Sequence, residues 1–403
     1  MKFQTDINAK THDDFVKESP LNHLLQSSKW ASVKDNWSSR IVGVVDNDGK
    51  LIASALVLIK RLPLGFTMLY TPRGPILDYT NQALVEFFFN QLKSWGKTQR
   101  ALFIKFDPAV ILKTSRAQET ATTNSKALEI IKHLEALGAE HLGFNLKMSE
   151  TIQPRFQANE RLAADMDSVY PKHAKRLMKD AMKRDVKSFR GSVEDLPAFN
   201  QVVSKTEARK GVALRNGDYF KRLMDLYGED AYLHLAQINL KEKHDSLNAQ
   251  LVQIEEDIVN TPENQKKRFM RLRDQKASVE KFLEEFELLD YTSTQPTVIA
   301  GILSIKFGTT IEMLYAGMDD DFKKFYPQYL LYPQVFNDAY EADCLWGNMG
   351  GVEGTLDDGL FYFKKNFNPD IQELIGEFNL PVNRLLYRLS DFAYKLRKKG
   401  SHH

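Results

Sequence analysis

The stretch SRIVGVVDNDGKLIASALVLIKRLP, residues 39–63, decides the fold class. Two aliphatic, β-branched runs flank DNDG (46–49), whose residue types suit a tight turn, so the segment predicts a β-hairpin. Working outward, NQALVEFFFNQLKSWGKTQ (81–99) predicts a helix capped by Asn81 and closed near Gly96. RALFIKFDP (100–108) follows as a buried strand that ends at Pro108. A hairpin interleaved with a helix and a further strand argues for an α/β or α+β domain and against a sandwich or a helix bundle.

A comparable series recurs downstream. DAYLHLAQINL (230–240) and QPTVIAGILSIKFGTTIEMLYAGM (295–318) predict strands, the latter folded back at GTT; a helix PQYLLYPQVFNDAYEA (327–342) and a strand within CLWGNMGG (344–351) complete it. Two similar mixed units suggest a duplicated architecture, although residue identity alone does not demonstrate one. Residues 241–290 differ in composition. Leu247, Leu251, Ile254 and Ile258, then Phe269, Leu272, Val279, Leu283 and Phe286, step at helical-seam spacing on either side of NTPEN. This predicts an antiparallel coiled-coil hairpin with Lys276 on its seam. QKKRFMRLRDQK (265–276) puts six basic residues on its second helix, which suits either an arm for RNA or protein or a solvated helix pair.

With 403 residues the chain can bury two or three separate cores. A single cysteine, Cys344, excludes an internal disulfide, and the N-terminus lacks a secretory pattern, so a reducing cytoplasm is the expected compartment. The apolar run LIASALVLI (51–59) is too short to cross a bilayer as a helix. Net charge is only +2, but 172–190, KHAKRLMKDAMKRDVKSFR, holds eight Lys or Arg against two Asp, a local footprint for a polyanion. The last residues, 400–403, read as a tag remnant. No nucleophile elbow, zinc-binding helix motif, paired Cys-x-x-Cys or P-loop occurs. GNMGGVEG (347–354) is the one glycine-rich segment, readable as a phosphate cradle or as a tight connection.

RKGVALRNGDYFKRLMDLYG (209–228) sets Arg215 and Tyr219 among Arg209, Lys210, Lys221 and Arg222. It belongs to an ordered set: LQSSKWASVKDNW (25–37), YTPRGPILDY (70–79), FIKFDP (103–108), TIQPRFQ (151–157), VALRNGDYFKRL (212–223), MLYAGM (313–318) and GLFYFKKNFNP (359–369). Together these resemble the Fem family of peptidoglycan bridge-forming aminoacyltransferases, nearest in likeness to its MurM-type members, over about residues 10 to 395.

The resemblance implies two acetyltransferase-like domains with the coiled-coil arm inserted in the second. The corresponding division is 1–153 plus a returning segment 376–398 for the first, 154–240 with 291–375 for the second, and 241–290 for the arm. It further implies transfer of serine or alanine from aminoacyl-tRNA to the stem-peptide lysine amine of lipid II, or of the soluble precursor UDP-MurNAc-pentapeptide, at the inner membrane face. No metal or cofactor is expected.

On the same grounds Lys34, Trp37, Arg215, Tyr219 and Tyr315 would line the precursor's diphosphate and muropeptide site, an arginine fork and a tyrosine hydroxyl suiting phosphate oxygens. Asp107 would face the substrate amine, as a base or as an orienting group; as a turn residue before Pro108 it has an equally ordinary structural explanation. Phe363 and Lys364 would meet the tRNA 3′ end, with Lys364 also stabilising the oxyanion unless it is a snorkelling lysine at a strand edge. Lys175, Arg176 and Lys179, with Lys267, Arg268 and Arg271 on the arm, are the candidate tRNA backbone contacts. Three rival functions are an enzyme of the same family adding the second bridge residue, a coenzyme-A-dependent acetyltransferase, whose R/Q-x-x-G-x-G/A loop is missing, and a tRNA-binding scaffold without catalysis.

Overall fold

The computed structural model describes residues 1–33, 36–116, 121–210, 215–286 and 289–390, without the side chains of 209 and 210. In chain order the strands are β1 (Lys2–Gln4), β2 (Ser38–Val45), β3 (Leu51–Arg61), β4 (Thr67–Thr71), β5 (Ile76–Leu77) and β6 (Ala101–Phe106). Then come β7 (Ile111–Arg116), β8 (Thr122–Thr123), β9 (Glu140–His141), β10 (Phe156–Arg161), β11 (Lys187–Gly191) and β12 (Ala231–Ile238). The last are β13 (Thr297–Phe307), β14 (Thr310–Met318), β15 (Trp346–Val352), β16 (Asp370–Leu374) and β17 (Phe378–Pro381).

They form two mixed sheets, ordered β1-β2-β3-β4-β6-β17-β9 and β11-β12-β13-β14-β15-β10-β16-β7-β8, with β5 paired to β3. The 39–63 segment is the hairpin β2–β3, register Ser38↔Ile59 to Val45↔Leu51. Each sheet repeats one plan: an antiparallel meander, a helix, then a strand parallel to the meander's last. In the first sheet helix Gln82–Thr98 leads to β6, parallel to β4. In the second, helix Gln328–Glu341 leads to β15, parallel to β14. A right-handed crossover needs such a helix, so the hydrophobic periodicities of 81–108 and 327–352 already determine this geometry.

Two strands cross over between the sequence halves. β7 and β8 pair on the second sheet through β16, not on the first, and β17 returns to pair with β6. One apolar core lies under each sheet, and a third lies between them, where Leu56, Leu58 and Tyr70 meet Phe199, Phe220 and Leu303. Ser27 Oγ and Tyr227 OH, 2.6 Å apart, fasten the same interface.

Helix Gln82–Thr98 is capped by Asn81 and closes near Gly96, as expected; a Cβ at Gly96 would lie 3.2 Å from Val382, so the bare glycine also lets the helix approach the returning segment. Two local expectations need correction. The glycine-rich 347–354 is largely strand β15, not a phosphate loop. Its glycines admit neighbours, since a Cβ at Gly347 would meet Phe336 at 2.6 Å and one at Gly351 would meet Pro154 at 2.4 Å. In the hairpin of helices Leu240–Val259 and Lys266–Phe286, Leu247, Ile254, Leu272, Val279 and Phe286 form the buried seam. Lys276 lies on its flank and reaches across to Glu255 Oε1 at 2.6 Å. An ammonium kept half in water avoids the desolvation cost of a seam position.

Candidate functional site

The site begins where β4 ends. Pro72–Arg73–Gly74–Pro75 turns sharply, with Arg73 in the left-handed region at φ 55°. Buried Gln26 pins this turn, its Nε2 donating to Pro72 O at 2.6 Å and its Oε1 accepting from Leu56 N at 2.9 Å. Only glycine fits at 74, because a Cβ would sit 2.6 Å from the Gln26 amide. The turn drives the Arg73 side chain, 2% exposed, into the space between the sheets.

There Arg73 gathers three segments. Its backbone N–H donates to Asp107 Oδ1 (3.1 Å), Nη1 lies 3.4 Å from Asp107 Oδ2, and Nη2 donates to Pro154 O (2.6 Å). Asp107 directly follows β6, as the Asp-Pro strand end predicts. Burial pushes its carboxyl up to about 6, against the pull of the Arg73 guanidinium. Tyr70, whose hydroxyl burial keeps well above its ordinary range, contacts Asp107 and Gln153. Glu312 of β14, with Asn348 of β15, completes the polar cluster.

Beside this cluster the second sheet opens. β14 and β15 pair only over Thr310–Glu312 with Trp346–Asn348, although β14 continues to Met318 and β15 to Val352. In the first sheet β4 and β6 stay paired to the end of β4. Among the described residues only the second sheet therefore has parallel strands that part before they end, a wedge between β14 and β15. Lys364 stands beside the wedge, on the short helix Gly359–Lys365. It is 4% exposed, with Nζ donating to Gly351 O at 2.8 Å. It is thus not a snorkelling lysine at a strand edge. Gly351 packs on Pro154, which binds Arg73, so a short chain of contacts joins Lys364 to Asp107.

Phe363 is half-buried among aromatic rings, edge-on to Tyr332 at 5.2 Å and to Phe367 at 5.5 Å. Arg215 is exposed, its guanidinium 5.1 Å from the centre of the Tyr219 ring, and Tyr315 OH donates to Tyr219 OH at 3.2 Å. Asn216 caps the helix Gly217–Tyr227 and fixes Tyr219 on its first turn. Trp37 lies across the interface, 6.4 Å from Tyr70, with Lys60 Nζ 5.5 Å from the centre of the Trp37 ring. Trp37, Tyr219 and Tyr315 border one apolar cluster. Lys34 lies outside the described residues, as do the side chains of Arg209 and Lys210.

Arg73, Glu312, His23 and Lys60 were not singled out from the sequence. The signals available were the arginine between prolines and a lone acid interrupting the apolar run of β14. Lys175, Arg176 and Lys179 lie on helix Lys172–Lys183, which packs on helix Gln328–Glu341. Lys267, Arg268 and Arg271 are exposed near the arm's tip. A groove of about 580 Å³, lined by Leu112, Phe144, Phe156, Leu356 and Ile371, contains none of the polar groups of the cluster.

A family model described as the FemAB family matches residues 7–395. The aminoacyltransferase FemA of Staphylococcus aureus (strain bovine RF122 / ET3-1) is 29% identical over 422 residues, covering 99% of both chains. A lipid II:glycine glycyltransferase of Staphylococcus haemolyticus (strain JCSC1435) is 29% identical over 406 residues, covering 95% of this chain and 94% of its own. The crystal structure of FemX superposes with a TM-score of 0.77 at 27% identity, over 96% of this chain and 99% of that one. These likenesses secure the family; the particular nearness to MurM-type members rests on the motifs alone.

Proposed function

Because the chain belongs to the FemAB family and is an aminoacyltransferase of peptidoglycan bridge formation, we propose that it moves one small aminoacyl group from aminoacyl-tRNA onto the stem-peptide lysine amine of lipid II. The motif likeness favours serine or alanine as the donor, whereas the name of the S. haemolyticus relative carries glycine. The observation that carries the reading is the wedge between β14 and β15, with buried Lys364 on its helix side and Asp107, held by Arg73, on its inter-sheet side.

An aminoacyl ester is already activated, so placing an amine against its carbonyl and stabilising the oxyanion suffice for turnover. The ester would enter the wedge from the helix face. The amine would come from the inter-sheet face, where Asp107 orients its ammonium; paired with Arg73, that carboxylate serves better as an anchor than as a base. Lys364, a fixed cation out of water, would meet the charge that develops on the carbonyl oxygen. Arg215, Tyr219, Tyr315 and Trp37, with Lys34 where the motif places it, would receive the diphosphate and sugar. Lys175, Arg176 and Lys179 would hold the tRNA backbone, and cationic surface beside an anionic leaflet would keep the enzyme at the inner membrane face.

The test is mass analysis of lipid II after incubation with the protein and a mixture of charged tRNAs. A gain of one seryl, alanyl or glycyl unit on the stem lysine names the donor. Lys364→Ala should lower the transfer rate by roughly 100-fold or more while leaving tRNA affinity nearly unchanged. No gain on unmodified precursor or on one already bearing a first residue rules out the reaction.

A further inference from the structure

Glu312 occupies the last paired position before β14 and β15 part, opposite Asn348. Its neighbours Ile311 and Met313 belong to the core under the second sheet, so alternation along the strand turns Glu312 to the inter-sheet face. It is 7% exposed. The Asn348 side chain is near enough to favour its charged form, although Asn348 Nδ2 donates to Gln157 Oε1 at 3.3 Å. His23 Nε2 lies 3.6 Å from its Oε1. His23 Nδ1 accepts from Leu25 N at 3.2 Å, which leaves the ring hydrogen on Nε2, a buried atom that makes no hydrogen bond of its own. Burial and the nearby Arg73 hold His23 well below its ordinary pKa, so this partner is a neutral dipole. Arg73 also faces Glu312, but its contacts go to Asp107 and Pro154. Among the described residues no lysine or arginine pairs with the Glu312 carboxylate, whereas Asp107 has Arg73.

We propose that Glu312 is the proton acceptor of the transfer step, taking a proton from the incoming ammonium where the two strands separate. This rests on the reaction proposed above. The ammonium gives one proton to the Glu312 carboxylate, and the freed amine attacks the ester carbonyl carbon. The C–N bond forms as the carbonyl π pair moves to oxygen. Collapse of the adduct breaks the bond to the ribose oxygen, which takes a proton from the Glu312 carboxylic acid. Glu312 then removes the surplus proton from nitrogen and passes it to water. Of three ammonium protons, one stays on the amide, one ends on the ribose hydroxyl and one is released.

The electrostatics agree with the geometry. Burial pushes the Glu312 carboxyl up to about 7, opposed by Arg73 and by the nearby Asn348 amide, so near neutral pH it can both accept and return a proton. The charged or titratable groups facing it are Arg73 from the 72–75 turn and His23 from the N-terminal segment, with Asp107 beyond Arg73.

Single-turnover transfer measured from about pH 5.5 to about pH 9 tests this with the wild type, Glu312→Gln, Glu312→Asp and Asp107→Asn. The wild-type rate should rise through a limb near the Glu312 pKa. Glu312→Gln should be slower by roughly 100-fold and lose that limb, with tRNA and acceptor affinities within about threefold. Asp107→Asn should weaken acceptor use but keep the limb. If Glu312→Gln fails to fold, Glu312→Asp decides: a slowed enzyme that retains a limb supports the assignment, and one without a limb overturns it. A Glu312→Gln enzyme that matches the active wild type, or is slow with the same limb, overturns the role of Glu312 alone. A wild type that transfers nothing overturns the reaction and this proposal with it.

Discussion

Glu160, on β10, is enclosed completely, with Arg116 Nη2 3.8 Å from its Oε1 and Asp370 and Tyr170 close by. Burial pushes its carboxyl up to about 8, opposed by Arg116 and reinforced by Asp370. The sign follows directly. The folded pKa lies above the unfolded value, so folding is favoured fully below the unfolded pKa of about 4.5 and loses about 1.4 kcal/mol per pH unit as pH climbs towards the folded pKa. Glu160→Gln should therefore change stability by less than about 1 kcal/mol at pH 5 and raise it by on the order of 4 kcal/mol at pH 8, read by urea unfolding at both pH values. Arg116 keeps Asp370 as a partner at 3.1 Å, so the amide strands no cation. An equal effect at both pH values would contradict the assignment. At this scale the sequence was uneven. Asp107 was visible as an Asp-Pro strand end, and Lys364 only through the family resemblance of GLFYFKKNFNP. Arg73 was not, because its role needs partners 34 and 81 residues away.

Among the elements, the arm has a fixed root and a free tip. Phe286 packs against Phe325 with ring centres 5.9 Å apart, the Arg184 guanidinium lies 4.2 Å from the centre of the Phe282 ring, and Arg184 Nη1 donates to Glu285 at 3.1 Å. Beyond that root Lys267, Arg268 and Arg271 are solvent-exposed. If they touch the tRNA backbone, replacing all three with alanine should weaken tRNA binding and flatten the slope of log affinity against log salt by roughly 2 to 3. Transfer at saturating tRNA should persist. An unchanged slope would leave the Lys175, Arg176 and Lys179 face as the remaining candidate. The heptad spacing made this hairpin legible, because a two-helix seam is a local pattern. The segment 347–354 misled for the converse reason: a glycine that shapes a loop and one that admits Phe336 or Pro154 look alike until the neighbour is known.

The whole molecule is held together by exchange between its sequence halves. β7, from the first half, extends the second sheet, while β17 comes back from the C-terminal part to pair Phe378–Pro381 with Phe103–Phe106 of the first. Phe378 stacks on Phe106 with ring centres 5.1 Å apart and planes 9° from parallel. Glu377 ties the same return to Lys105 at 2.9 Å and to the Ile152 backbone. The duplicated plan was readable as two mixed series. The exchange was not, since edge strands as short as 111–116 carry no mark of the sheet they join. Separating the chain at 153 would thus deprive each half of a strand and expose the core where Leu56 and Tyr70 meet Phe220 and Leu303. Fragments 1–153 and 154–398 should each fail to give a cooperative melt by circular dichroism, and co-expression should restore one. The intact chain should unfold in a single transition, with tryptophan fluorescence and circular dichroism coinciding, because no sheet can lose its core without uncovering the other's. Two separated transitions, or a first fragment that melts cooperatively alone, would show that the shared core adds little to stability and that the wedge and Asp107 are aligned by the strands alone.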